Sequence, residues 1–192
     1  MGSIREYKKD SILAPIYVTL EVVLEVLIPY LMSMIIDKGI GEGDMPFIIR
    51  IGLILIVSTL FSLGFGVLSG LHAAKASAGF AKNIRKDMYY NIQDFSFSNI
   101  DQFSTSSLIT RLTTDITNVQ NSFQMIIRIM VRAPLMLVFS LLMALNINSE
   151  LGMVFLGAIP FLGLGLYLIM SKAFPIFQKV FRTYDKLNRV VQ

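Results

Sequence analysis

Two glutamates raise the question of chemistry in this chain. Glu21 and Glu25 stand four residues apart in a largely apolar stretch running from Ser11 to Ile36. That spacing puts both on one face of a helix. A carboxylate in hydrocarbon is costly, so it must face a polar cavity, meet an opposite charge or carry a proton. Two readings stand open: a contact for a cationic ligand or a proton, or a structural one, either a buried hydrogen bond to a neighbouring helix or a first span that starts later than about residue 11. Phe65 and Met136, with Phe61, Met130, Phe139 and Met143, could line an adaptable apolar cavity, because methionine is flexible and polarisable. Packing against lipid is the alternative for each.

A second group is polar. Residues 95–115 read FSFSNIDQFSTSSLITRLTTD. Asn99 and Asp101 favour a turn through side-chain bonds to backbone, with Phe95, Phe97 and Phe103 as anchors. The run from Ser104 then restarts a helix, for which Thr105 or Ser106 is a natural N-cap. Leu108 and Leu112 fall one turn apart with Ile109 beside them, and Arg111 and Asp115 form an i, i+4 pair on a neighbouring face. An amphipathic helix with no core of its own needs a groove to lie in; a self-packed surface turn is the alternative. No other chemistry is written here. The chain has no cysteine and one histidine, His72, so thiol chemistry is excluded and a histidine-based metal site is not expected. It has no G-x-x-x-x-G-K-[ST], H-E-x-x-H or G-x-S-x-G run, so no catalytic site and no cofactor is expected within it.

The elements that must position these residues follow from composition. The chain has 192 residues, 54% hydrophobic and only 16% charged, against about 25% charged in soluble domains. That composition belongs to an all-α integral membrane protein. Four spans are predicted, at about 11–36, 47–72, 129–146 and 151–171, each near the roughly 20 residues that cross a bilayer. The first is too long for a signal-peptide core and has no small-x-small cleavage site. Basic residues cluster before the first span, in the 72–128 link and after the fourth span, whereas the 146–150 link has none. Both termini and the middle link are therefore expected in the cytoplasm of a multi-pass protein of the cell (inner or plasma) membrane. The net charge of +4 sits between apolar runs rather than on one soluble face, so no nucleic-acid partner is expected.

The helices continue past the membrane. After Leu71 the pattern runs on without proline, with apolar positions at Phe80, Ile84, Met88 and Ile92. A helix from about 47 to 94 would be roughly 70 Å long, more than twice the hydrocarbon thickness. Ser62, Gly66, Gly70, Ala74 and Ala78 recur every four residues, a stripe expected to pack against a neighbouring helix. Pro15, Pro29, Pro134 and Pro160 lie in or at the edges of spans, where they fix a static shape or act as hinges. Arg128 and Arg132 are expected to snorkel to headgroups at the edge of the third span, and His72 is expected at the interface. The helical pattern is still running at the final KLNRVVQ, so the chain is expected to be part of a longer protein.

The stretch "FSFSNIDQFSTSSLITRLTTDITNVQNSF", followed by "RIMVRAPL", resembles the first intracellular loop of ATP-binding-cassette (ABC) exporters, nearest to bacterial multidrug-type half-transporters that work as heterodimers. The family pattern F-D-x-x-x-T-G-x-L-x-S-R-L-x-x-D is matched at Phe103, Ser106, Leu108, Thr110, Arg111, Leu112 and Asp115. Ser106-Ser107 stands where many members have Gly-Glu or Gly-Asp, as in heterodimer-type variants. The tail "FRTYDKLNRVVQ" resembles the cytoplasmic end of the family's fourth helix. The resemblance implies the first four helices of a six-helix (type I) exporter transmembrane domain, with the nucleotide-binding domain absent from this chain. It implies a coupling helix within 95–116, at Ser106, Ser107, Leu108, Ile109, Arg111, Leu112 and Asp115, docking on a nucleotide-binding domain that carries ATP and Mg. It further implies a second half-transporter and export of a hydrophobic or amphipathic small molecule by alternating access. Two other readings are weighed beside it. A membrane anchor with a signalling stalk would need a sustained heptad, which the stalks lack. A stand-alone four-helix scaffold or channel gives no reason for the stalks or the 105–116 helix.

Overall fold

A computed structural model describes residues 2–94 and 105–191, with the side chains of all of these except 2, 3, 105 and 175–191. The described residues form helices and no strand. Four helical runs, Ile4–Ile40, Met45–Gln93, Ser106–Ile147 and Ser149–Phe174, are long and apolar enough to cross a membrane. The expected turn at Asn99 and Asp101, with its phenylalanine anchors, lies outside the described residues.

Helix α1 spans Lys8–Met34 and passes into a widened π turn at Ile35–Ile40. Gly43 then takes a left-handed φ of 72°, a conformation open to glycine because it has no Cβ. The next helix starts sharply. Asp44 accepts a hydrogen bond from the Phe47 N–H at 3.1 Å, and a proline follows inside the first turn, where its missing N–H costs nothing. This helix, α2, runs unbroken from Met45 to Gln93. Helix α3, Thr105–Thr110, continues through a widened turn at Arg111–Asp115 into α4, Ile116–Met125. A further widened turn, Ile126–Met130, leads into α5, Val131–Ile147. Asn148 ends that run and caps α6, Ser149–Val191, accepting from the N–H groups of Glu150 and Leu151 at 3.0 and 3.2 Å. Thr105 and Ser106 are both helical, and the residues just before Thr105 lie outside the described residues.

The described chain divides into two compact units between Ser140 and Leu141. In the first, α1 and α2 make the main contact. Ala14, Val18 and Val22 of α1 are buried, as are Ser62, Ser69, Ala73 and Ala76 of α2. Small side chains let the two backbones approach closely, which van der Waals packing rewards in lipid. The buried stripe on α2 is not the one expected. Gly66 and Gly70 are half-buried, and Ala74 and Ala78 are exposed. A spacing of four residues advances about 40° per step on a helix of 3.6 residues per turn. By Ala78 the expected stripe has therefore turned to the opposite side, and the contact passes to Ala73 and Ala76.

Past the apolar stretch α2 packs on α4. The Phe80 and Phe123 rings lie 4.6 Å apart, and Phe123 packs against the cluster of Ala14, Ala73, Ala76 and Ile127. Ile84, Met88 and Ile92 are half-buried along the same side as Phe80, as their spacing leads one to expect. The N-terminal turn joins this arrangement through Arg5, 2.9 Å from Asp87, and through Tyr7, whose ring lies on Gly79. A Cβ on Gly79 would stand 2.3 Å from Tyr7 Cδ2. In the second unit, Leu145 closes on Gly152, where a Cβ would meet Leu145 Cδ2 at 2.6 Å. None of the residues in the apolar window of α6 is buried.

Candidate functional site

The two glutamates of α1 find an arginine. Arg132 Nη1 donates to Glu21 Oε1 at 3.0 Å and Nη2 donates to Glu25 Oε1 at 2.5 Å. The one-turn spacing that puts both carboxylates on one face also lets a single forked guanidinium reach both. Glu21 is 7% exposed, so the pair stands where low dielectric strengthens opposite charges. Of the two readings open for these glutamates, an ionic contact to a neighbouring helix is therefore present. It does not exhaust them, because Glu21 Oε2 and Glu25 Oε2 are both buried with no hydrogen-bond partner.

The glutamates border a cavity of about 610 Å³ between α1, α2 and the widened turn before α5. Ser62, Gly66 and Gly70 of α2 line it, with Arg128 at the same cavity. Gly66 admits the Glu21 carboxylate, since a Cβ there would stand 3.0 Å from Oε1. Gly70 faces Arg128, with 3.7 Å from such a Cβ to Nη1. Arg132 therefore turns to the glutamates rather than out toward headgroups as expected. The carboxylates draw Arg132 inward, and the glycine-lined face gives Arg128 room.

The other candidate residues fall elsewhere. Met136 lines a separate groove with Ile129, Arg132, Ala133, Leu137 and Ser140. Phe65 belongs to an aromatic row, 6.2 Å from Phe61 and 6.2 Å from Tyr17. Tyr17 stacks on His72 at 5.4 Å, and His72 Nδ1 is 2.6 Å from Asp10 Oδ1. Glu21 and Glu25 thus share one cavity, while Phe65 and Met136 do not line it. The pairing of Arg132 with the glutamates, the place of Arg128 at their cavity and the Asp10–His72 contact are what the sequence reading missed. The only signal for Arg132 was that two buried acids require a base.

At the far end of α2, Arg85 Nε donates to the Leu112 carbonyl at 3.1 Å. This bond takes up a carbonyl in the widened turn Arg111–Asp115 and ties that turn to α2. Ser107, Leu108 and Leu112 are half-buried, whereas Ser106, Ile109, Arg111 and Asp115 are exposed. Ile109 is 57% exposed, which leaves an apolar side chain available to a partner.

Comparison with known proteins places these features in context. The family model for the ABC transporter transmembrane region matches residues 11–192. The chain is 36% identical over 192 residues to the uncharacterized ABC transporter ATP-binding protein YfiB of Bacillus subtilis, covering 100% of this chain and 34% of that protein. It is 28% identical over 193 residues to the uncharacterized ABC transporter ATP-binding protein Rv1273c of Mycobacterium tuberculosis, covering 98% of this chain and 32% of that one. It is 24% identical over 152 residues to the ATP-dependent lipid A-core flippase of Pseudoalteromonas translucida, covering 79% of this chain and 26% of the flippase. The chain spans about a third of the length of the curated relatives it matches.

Proposed function

This chain belongs to the ABC transporter transmembrane family, and from that membership we propose that it is the membrane portion of an ATP-driven exporter of hydrophobic or amphipathic small molecules. Transport proceeds by alternating access, powered by ATP and Mg held in a nucleotide-binding domain. A second half-transporter, of heterodimer type, completes the pathway. The relatives' names carry ATP binding, and one names a lipid A-core flippase, which supports an amphipathic cargo. The observation that carries the reading is the reach of α2. It runs on for 21 residues past His72 as one helix to Gln93, about 30 Å at 1.5 Å per residue, and holds the 111–115 turn through Arg85. A membrane pore has no use for such an extension. A device that passes force to a cytoplasmic engine requires one.

Docking is assigned to Ser106, Ser107, Leu108, Ile109, Arg111, Leu112 and Asp115. Because this chain has no cysteine, a Ser107→Cys variant in the complete transporter, with its other cysteines removed, gives a clean probe. It should crosslink to single cysteines on the nucleotide-binding domain, with a yield that changes when ATP is added. A scan of that domain's surface without a crosslink would refute docking through this helix.

A further inference from the structure

The cavity at Glu21 is charged at both ends. At one end Glu21 and Glu25 share Arg132, leaving one negative charge in excess and two buried carboxylate oxygens without donors. At the other end Arg128 faces Gly70 and makes no ion pair or hydrogen bond with the described residues. Gly66 and Gly70, against which the two ends lie, are one helical turn apart, about 6 Å along α2. The site as a whole is neutral, since two carboxylates face two guanidinium groups. A simple cation would satisfy the acids and leave a net positive charge beside Arg128. A simple anion would leave the carboxylate oxygens orphaned. Both ends are satisfied by one molecule that carries both signs.

We propose that this cavity binds the head of a zwitterionic amphiphile, whose N–H-bearing ammonium meets the free oxygens of Glu21 and Glu25 and whose phosphate or carboxylate meets Arg128. The orphaned oxygens are acceptors and require donors. A primary ammonium offers three N–H groups and a quaternary ammonium offers none, so the site selects the former. Arg128 offers the planar fork that matches carboxylate or phosphate. Thr59, Ile28, Leu63 and Val67 complete the lining, and the last three give apolar surface for the start of a tail. The volume of about 610 Å³ falls within the range of small-molecule sites. Such a head occurs on ethanolamine phospholipids and, in soluble form, on short apolar peptides with free ends. As an account of cargo the assignment rests on the export reading above; as a binding site it does not.

The test uses the complete transporter, with its partner half, in nanodiscs of phosphatidylglycerol, which has no amine. Calorimetry measures the affinity for four probes: a short-chain phosphatidylethanolamine, a phosphatidylcholine with the same tails, octylamine, and the dipeptide Leu-Leu with free ends. The ethanolamine lipid or the dipeptide should bind about ten- to a hundredfold more tightly than the choline lipid and octylamine, the worth of a charge-assisted hydrogen bond. Which of the two is tighter tells a lipid source from a soluble one. Glu21→Gln should abolish the preference for ethanolamine over choline, and Arg128→Gln should abolish the preference for the zwitterion over octylamine. Should either variant fail to assemble, the probe series on the unaltered protein still decides. Equal affinity for all four probes would mean that the site does not read the head group, and binding of none that water alone fills it; either would overturn the assignment. A transporter that crosslinks at Ser107→Cys yet lacks head-group preference would sink this inference alone. One with the preference but no crosslink would sink the coupling reading and leave the site standing.

Discussion

Arg132 is the residue on which the α1 site depends. It holds two carboxylates at once, so its removal leaves two acids near one another with no cation paired to them. Breaking a buried pair by deleting one partner costs about 3–5 kcal/mol. Arg132 keeps 35% of its side chain exposed, and screening lowers that figure to about 1–3 kcal/mol. Arg132→Gln should therefore lower the melting temperature of the transporter in detergent. The loss should shrink when Glu21→Gln and Glu25→Gln are already present, since no orphaned charge then remains. An equal loss in both backgrounds would mean that Arg132 acts through packing rather than charge. Glutamates four apart in an apolar stretch announce in the sequence that a base is needed. They do not say which one, because Glu21 and Arg132 are 111 residues apart and only the packing of helices joins them.

At the scale of elements, the long helices are legible because an uncharged run such as Ile51–Leu71 has few other solutions in lipid than a helix. The faces those helices use are harder to read. Small residues mark α2 as an interface, but a count of four residues per repeat slips around the helix, so Ala74 and Ala78 mislead and Ala73 and Ala76 carry the contact. The widened turns are not legible at all, since an extra residue in a turn leaves no mark in polarity. The glycine in the sequence ASAGFAK shows how tightly the N-terminal turn is fitted. Gly79 is the floor beneath the Tyr7 ring. Gly79→Ala should destabilise the α2 contact by about 1–3 kcal/mol, the usual cost of overpacking, read as a lower thermal midpoint. Tyr7→Ala should relieve much of that cost in the double variant. A Gly79→Ala protein as stable as the parent would show that the Tyr7 ring moves aside freely.

At the scale of the molecule, helices cross the membrane while their charged links stay in water, and the basic links predict which side is which. Cysteines introduced at Lys9, Lys82 and Lys172 should react with a membrane-impermeant maleimide only after cells are opened. Cysteines at Glu42 and Asn148 should react in intact cells. Reversal of that pattern would overturn the assignment of both termini to the cytoplasm. The unbroken α2 has a mechanical consequence. Between Phe47 and Gln93 it contains no proline, and its adjacent Ser-Gly pair, Ser69-Gly70, of the kind at which helices kink, precedes His72. On the proposed coupling reading, the part beyond His72 would act as a lever. A tilt of about 10° at His72 would carry its far end through about 5 Å, roughly one helical turn, so small angles within the membrane become whole-residue displacements where the 111–115 turn is held.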